Sequence, residues 1–238
     1  MPSESILQRR LQPELLDALS ADDPQARRAR ADLRRLNRIM RSVPVALSAL
    51  DRLARQVPPR SILELGAGDG SLMLDIARHR AARWPDVAVT LLDRQSAIET
   101  KTLEGIRALG WCPGVIKAEV WDWLAQVHDG VWDIIVANLF IHHFASDELP
   151  RLFQGIAAHT RAFFCCEPRR SGFALASSHL VGLLMMGPVT RKDAVLSVRA
   201  GFRGNELHSL WPADGGWKVH EYSGALYSHC LLAWRSSS

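Results

Sequence analysis

The chain predicts an open α/β fold: a mostly parallel sheet with helices on both faces, closed by a C-terminal antiparallel hairpin. Three observations carry this. Between Ser61 and Cys166 strand-like and helix-like runs alternate, the pattern of βαβ units. Trp132 to Leu139 (WDIIVANL) is almost continuously apolar, as a strand buried on both faces must be. Trp217 to Tyr222 and Tyr227 to Trp234 are joined only by Ser223 to Leu226, too few residues for a parallel crossover, so they pair antiparallel.

Residues 1 to 57 show no strand pattern and read as an N-terminal helical cap. Arg27 to Arg41 (RRARADLRRLNRIMR) places Leu33, Leu36, Met40 and Val43 at three- and four-residue spacing, one helix face, with arginines elsewhere. Those arginines are expected to solvate the helix; a nucleic-acid or anionic-membrane patch is the competing reading. Pro58-Pro59 stops the element. Ser61 to Leu65 (SILEL) is the first strand and Ser71 to Arg83 the first helix of the alternating region. Val87 to Leu92 and Ser96 to Leu109 repeat the unit, and Gly110 ends it. Val115 to Val120 is expected as the third strand, Trp132 to Leu139 as the fourth, Asp147 to His159 as a helix and Ala162 to Cys166 as the fifth strand. Residues 171–212 read as a helical, lid-like insertion in a single domain spanning 58–238, which also contains the hairpin.

Composition sets the outer limits. The 238 residues are 47% hydrophobic and 23% charged, close to average soluble proteins, so a full core is expected and disorder or repeat architectures are excluded. Four cysteines are too few for a disulfide framework, and adjacent Cys165 and Cys166 would face opposite sides of a strand. The apolar stretch Leu180 to Val189 is about half of the roughly 20 residues a bilayer span requires. MPSESILQRR carries no apolar core of a secretory signal, so a cytoplasmic protein is expected. The net charge of +4 is mildly basic.

The chemistry-bearing segment is Glu64-Leu65-Gly66-Ala67-Gly68-Asp69-Gly70-Ser71, which follows a strand and opens a helix. Glycines there permit a sharp turn and close approach of a ligand to the backbone. The dinucleotide fingerprint fails because its sixth place is Ser71, and no Lys-Ser or Lys-Thr makes a P-loop. The pattern acidic-x-Gly-x-Gly-x-Gly resembles motif I of the class I S-adenosylmethionine-dependent methyltransferases. Asp93, ending the second strand, matches the acidic residue that holds the ribose hydroxyls in that family, with Arg94 beside it. Asp122-Trp123 follows the third strand, where the family often places an acidic residue near the adenine amine and an apolar neighbour against the ring. The fourth strand carries Asp133 and leads to Asn138, and the hairpin matches the family's last strands.

The resemblance therefore implies a Rossmann-like seven-stranded sheet and S-adenosyl-L-methionine as cofactor, bound by Glu64, Gly66, Ala67, Gly68, Asp93, Arg94, Asp122, Trp123 and Asn138. The chain is similar to bacterial small-molecule methyltransferases, including those that modify quinones and polyketide phenols.

Methyl transfer is an in-line displacement, so the protein mainly aligns the acceptor, and an alcohol or phenol must also lose its proton. Ligands of open α/β sheets sit beyond the carboxyl ends of the strands. There the chain has Asn138-Leu139-Phe140-Ile141-His142-His143, without the prolines of the amine-methylating motif, which counts against DNA as substrate. His142 and His143 are the candidate catalytic residues, since histidine titrates near neutrality. One is expected to face the site and the other to point away, with His143 preferred as base; the competing reading is that both only cap the strand or bound the cofactor pocket. Glu167 is open to three readings: orienting a histidine, meeting the substrate, or pairing with Arg169 or Arg170. No metal-ligand spacing occurs, so no metal is expected.

Eight tryptophans, five methionines and the apolar run Leu180 to Met186 suggest a lipophilic small-molecule acceptor if that run lines a pocket rather than a core. The leading expectation is O-methylation of a phenol-, quinol- or polyketide-like substrate by a monomer or homodimer. The alternatives are C- or N-methylation of a quinone ring or RNA, the Arg-rich helix being the one feature favouring RNA, and a non-enzymatic cofactor-binding subunit, which the intact glycine loop disfavours.

Overall fold

Strand β1 (Ser61–Leu65) starts at a carboxylate clamp. Asp133, on β4 (Trp132–Asn138), accepts the backbone amides of Arg60 (2.9 Å) and Ser61 (3.0 Å), while the Ser61 hydroxyl accepts the amide of Asp133 (3.0 Å). This reciprocal pair aligns the two central strands at their starts, opposite the end where the glycine loop lies. Beside them run β2 (Ala88–Asp93), β3 (Cys112–Lys117) and β5 (Thr160–Pro168), all parallel. The hairpin β6 (Trp217–Ser223) and β7 (Ser228–Arg235) joins antiparallel through β7, giving the seven-stranded order β3-β2-β1-β4-β5-β7-β6. The order in which strands are added reverses between β1 and β4, and at such a switch point the connections leaving the carboxyl ends of neighbouring strands part to opposite faces and leave a crevice.

The computed structural model describes residues 6–20, 22–95, 97–126, 130–180 and 185–235. The apolar alternation of the strands divides the core in two. Ile62, Ile134, Val136 and Phe164 face one layer; Leu63, Ile135, Ala137 and Phe163 face the other. The first layer is covered by α3 (Ser42–Ala54), α4 (Ser71–Arg80) and α5 (Thr100–Ala108), the second by α6 (Val120–Leu124) and α7 (Leu149–Ala158). Four further elements stand over the carboxyl edge: α1 (Leu15–Ala18), α2 (Pro24–Ile39), α8 (Gly172–His179) and α9 (Pro188–Ala200).

Several boundaries differ from expectation, each for a local reason. The third strand is Cys112–Lys117, not Val115 to Val120, and Val120 opens a helix. β3 is an edge strand, so Pro113 is tolerated within it. The Arg-rich helix stops at Ile39, because Arg41 turns left-handed (φ 57°) before α3, so Val43 is severed from the face formed by Leu33, Leu36 and Met40. Among the described residues of the expected 1–57 helical region, the α-helix before α2 is the short α1. The second helix of the alternation begins at Thr100 rather than Ser96, which lies outside the described residues, as do 181–184 of the apolar run and 1–5 of the N-terminus. All four cysteines are free, Cys165 and Cys166 among them. Among the described residues no helix is long and apolar enough to cross a membrane.

Trp111 shows how tightly the β2–β3 side is packed. Its ring is 1% exposed and its Nε1 donates to the Trp84 carbonyl at 2.8 Å. Trp111→Ala is expected to cost about 3–5 kcal/mol of unfolding free energy, from the cavity and the orphaned carbonyl, read from the urea midpoint.

Candidate functional site

The turn after β4 is built on one carboxylate. The parallel register sets Asn138 beside Cys166, so the next residue of β5, Glu167, lies beneath the chain leaving β4. Glu167 has no solvent exposure. It accepts the backbone amides of Phe140 (3.1 Å), Ile141 (2.9 Å) and His142 (3.3 Å), and the Nδ1 of His142 at 2.6 Å. Of the three readings of Glu167, the geometry matches the orienting one; Arg170 pairs instead with Glu206.

His142 and His143 belong to a single 3₁₀ turn, Ile141–His143. On a strand neighbouring side chains oppose each other, but a turn with three residues per revolution does not separate them so far. Both rings border the same cavity, with centroids 4.3 Å apart, rather than one facing in and one away. The Nε2 of His142 faces Glu14 Oε1 at 3.4 Å, and the Nδ1 of His143 lies 3.1 Å from Asp17 Oδ2. Burial opposes charge on His142, yet the carboxylates of Glu14 and Glu167 facing its two nitrogens outweigh it and raise its pKa to about 9. His142 is therefore an imidazolium at neutral pH. Burial alone would raise the carboxyls of Glu14 and Asp17, but their histidine partners hold both below the ordinary range.

Glu14 and Asp17 come from the N-terminal segment, which no motif marked. Asp193 on α9 accepts the amides of Leu15 (2.8 Å) and Leu16 (3.0 Å), and Ser197 donates to Glu14. Arg94 binds the carbonyl of Asp17 at 3.0 Å and its carboxylate at 3.1 Å. Arg9 donates to the carbonyls of His142 (2.8 Å) and Phe144 (2.7 Å). The segment is thus laced across the carboxyl edge of the sheet. It brings Glu14, His142 and His143 within 4.8 Å of one another, a grouping that no spacing in the sequence announced.

The glycine loop forms the opposite wall. Gly66 adopts φ 67°, and a side chain there would run into the Phe140 ring. Gly68 also has positive φ, and a Cβ on it would meet nothing within 4 Å, so its backbone stands open to a ligand. Asp93 braces this loop, accepting the amides of Gly68 (2.8 Å) and Gln95 (2.7 Å). Burial raises the Asp93 carboxyl, against the pull of those amides. Glu64 lies wholly buried beneath the loop, its pKa pushed far up by burial and by the nearby Asp69 and Asp93.

The cavity between these walls has a volume of about 470 Å³. That is within the roughly 300–1,000 Å³ of small-molecule sites. Gly66, Gly68, Asp93, Arg94, His142 and His143 border it; Glu64, Ala67 and Asn138 stand behind it. Glu64 Oε2 and Asn138 Oδ1 are buried without a partner among the described residues. Because β3 ends early, the wall beyond it is Ala118, Glu119 and Val120. Asp122 points to solvent and Trp123 packs in the core against Trp132. The remaining wall is Leu33, Leu36, Ile39 and Met40 from α2, with Ser177 and Ser178 from α8 and Ala194 and Ser197 from α9.

No family model matches the chain. A malonyl-[acyl-carrier protein] O-methyltransferase of Geobacter sulfurreducens is 29% identical over 170 residues, 71% of this chain and 52% of that protein. A ribosomal protein L11 methyltransferase of Rhodopseudomonas palustris is 34% identical over 93 residues, 39% of this chain and 30% of that protein. The chain thus spans about half the length, or less, of the curated relatives it matches. Among solved structures, the plantazolicin methyltransferase in complex with a monoazolic desmethylPZN analog and SAH aligns over 90% of this chain and 91% of its own, with TM-score 0.66 and 13% identity. An O-methyltransferase family protein from Burkholderia thailandensis aligns over 93% and 64%, with TM-score 0.60 and 18% identity. Magnesium protoporphyrin IX methyltransferase from Synechocystis with bound SAM aligns over 93% and 88%, with TM-score 0.54 and 14% identity. The chain has the Rossmann-like methyltransferase fold.

The pairing of His142 predicts a specific pH dependence. Its pKa is raised from 6.5 to about 9, so the stability it contributes is complete below pH 6.5 and disappears as pH rises through about 9. The urea midpoint of the native chain should fall across that window, whereas His142→Gln should show little change there. Equal declines in both proteins would assign the loss to other groups.

Proposed function

We propose that the chain is an S-adenosylmethionine-dependent methyltransferase that methylates an oxygen of a small, largely apolar hydroxylated molecule. The observation that carries this is the His143–Asp17 pair, set in the same cavity as an open glycine loop braced by an acidic strand end. The fold shared with SAM- and SAH-bound methyltransferases supports the cofactor. So do the exposed backbone of Gly68 and the unpartnered Asn138 oxygen beside the crevice. Gly66, Gly68 and Asp93 would hold the cofactor, with Glu119 and Val120 at its far side in place of Asp122 and Trp123. When bound, S-adenosylmethionine supplies a methyl group on a positively charged sulfur, activated for displacement.

The chain's own residues then divide the work. A phenolic hydroxyl has a pKa near 10, so at neutral pH its proton must leave as the oxygen gains the methyl group. Asp17 takes the Nδ1–H of His143, which leaves Nε2 as the proton acceptor, the orienting logic of an acid–base pair. His142 is already protonated and cannot serve as base. With a carboxylate against each of its ring nitrogens, it holds the cavity wall beside His143 instead. Residues within 1–57 and 171–212 act as cap and lid, excluding water from the reacting groups. The RNA alternative is weakened because Arg27, Arg34 and Arg35 are engaged by Asp22, Asp69 and Asp32 of the same chain. Four free thiols fit a cytoplasmic protein.

Calorimetric titration with S-adenosylmethionine, S-adenosylhomocysteine and NADH should show micromolar binding of the first two and none of the third; NADH binding alone would overturn the cofactor. His143→Ala should lower turnover at least ~100-fold while leaving cofactor affinity within about threefold. Asp17→Asn should give a smaller loss in the same direction. Unchanged turnover in His143→Ala would exclude the base and point to an acceptor that arrives already ionised.

A further inference from the structure

The cavity does not end at α2. A second, open groove of about 460 Å³ lies against it, and the two share Ile39, Met40 and Tyr227 as a common wall. Beyond that wall the groove is lined by Pro44 and Val45 at the start of α3 and by Ala225 and Leu226 in the hairpin turn. It exists because α2 breaks at the left-handed Arg41, so the chain turns away and leaves a channel between α3 and the β6–β7 link.

Its surface is unlike an ordinary solvent face. Ile39 is 48% and Leu226 63% exposed, and both line this groove. Single exposed apolar residues are common and need no explanation, but two large ones in one groove, adjoining a mostly apolar cavity, make a strip that solvent does not favour. Tyr227, which stacks on Phe173 with centroids 5.6 Å apart, forms the threshold between the two spaces.

Resting on the hydroxyl-acceptor assignment above, we propose that the acceptor is an amphiphile whose straight alkyl tail leaves the cavity past Ile39, Met40 and Tyr227 and lies in the groove between α3 and the hairpin turn. The hydroxyl head stays beside His143. The tail covers the exposed faces of Ile39 and Leu226 and touches Pro44, Val45 and Ala225. The wall shared by the two spaces argues for a tail of the site's own substrate rather than a separate ligand, and the scarcity of polar lining beyond Arg41 and Ser48 argues for a hydrocarbon.

Two homologous series test this on the full chain with S-adenosylhomocysteine present: 4-alkylphenols from methyl to nonyl, and straight-chain 1-alkanols. Calorimetric affinity should rise about three- to fourfold per added methylene until the groove is filled and then level off. Ala225→Trp should abolish the rise for the longer members and leave 4-methylphenol binding unchanged. Ser48→Phe, on the opposite wall, should do the same and covers the case in which the hairpin variant fails to fold. Affinity independent of chain length in both series, or a rise untouched by both variants, would overturn the proposal. A chain-length rise in both series with no methyl transfer to any phenol would uphold the groove and refute the hydroxyl acceptor.

Discussion

A carboxylate sealed from water sits under the turn that follows β4, and the rest of the site depends on it. Three backbone amides and an imidazole converge on Glu167. An unpaired buried carboxylate is costly, so the chain leaving β4 must fold back to supply those donors. That requirement makes the turn 3₁₀ rather than extended. The turn in turn places two histidines side by side on the cavity wall and sets the Phe140 ring against Gly66. The glycine loop and the histidine turn are therefore one packed unit, and the absence of a side chain at Gly66 is a demand of Phe140 as much as of any ligand.

Charge bookkeeping extends this unit to the N-terminus. His142 is protonated between two carboxylates, Glu167 and Glu14, which leaves one negative charge in excess. Arg9 meets it: buried enough to lower its own pKa, it is held by the field of Glu167 while it caps the carbonyls of His142 and Phe144. The residues that close the charge balance, Arg9 and Glu14, lie on the same segment as Asp17. Docking of that segment therefore adds one positive and one negative charge, Arg9 and Glu14, to the already paired His142 and Glu167.

The degree to which the sequence revealed all this follows the range of the interactions. β1, the glycine loop and Asp93 were legible because a strand, a turn and a helix start are set by neighbours within a few residues. The hairpin was legible from the length of its link. β3 was misplaced because Pro113 and Gly114 disguise an edge strand, and the apolar Val120 belongs to the next helix; Ala118, Glu119 and Val120 line the cavity there, and Asp122 and Trp123 do not. Glu14 and Asp17 gave no signal, since their partners lie 77 or more residues away and neither sits in a motif. The nearest hint was Glu167, buried polar chemistry at a strand end, whose role could not be chosen until the register with β4 was known.

This division of range is also a division of labour. One wall of the cavity is made from strand ends of the central sheet, where register and core packing on both faces leave little freedom to vary. The other is made from α1, α2, α8 and α9; Arg94 and Asp69 tie α1 and α2 to the sheet edge, and Asp193 ties α1 to α9. Changing those helices alters which molecule fits without disturbing the glycine loop. Fold alone accordingly says little about the acceptor. What does speak to it is the physical character of the helical wall: one apolar stripe on α2 facing the histidine turn, and one break at Arg41 beyond which apolar side chains reach the surface.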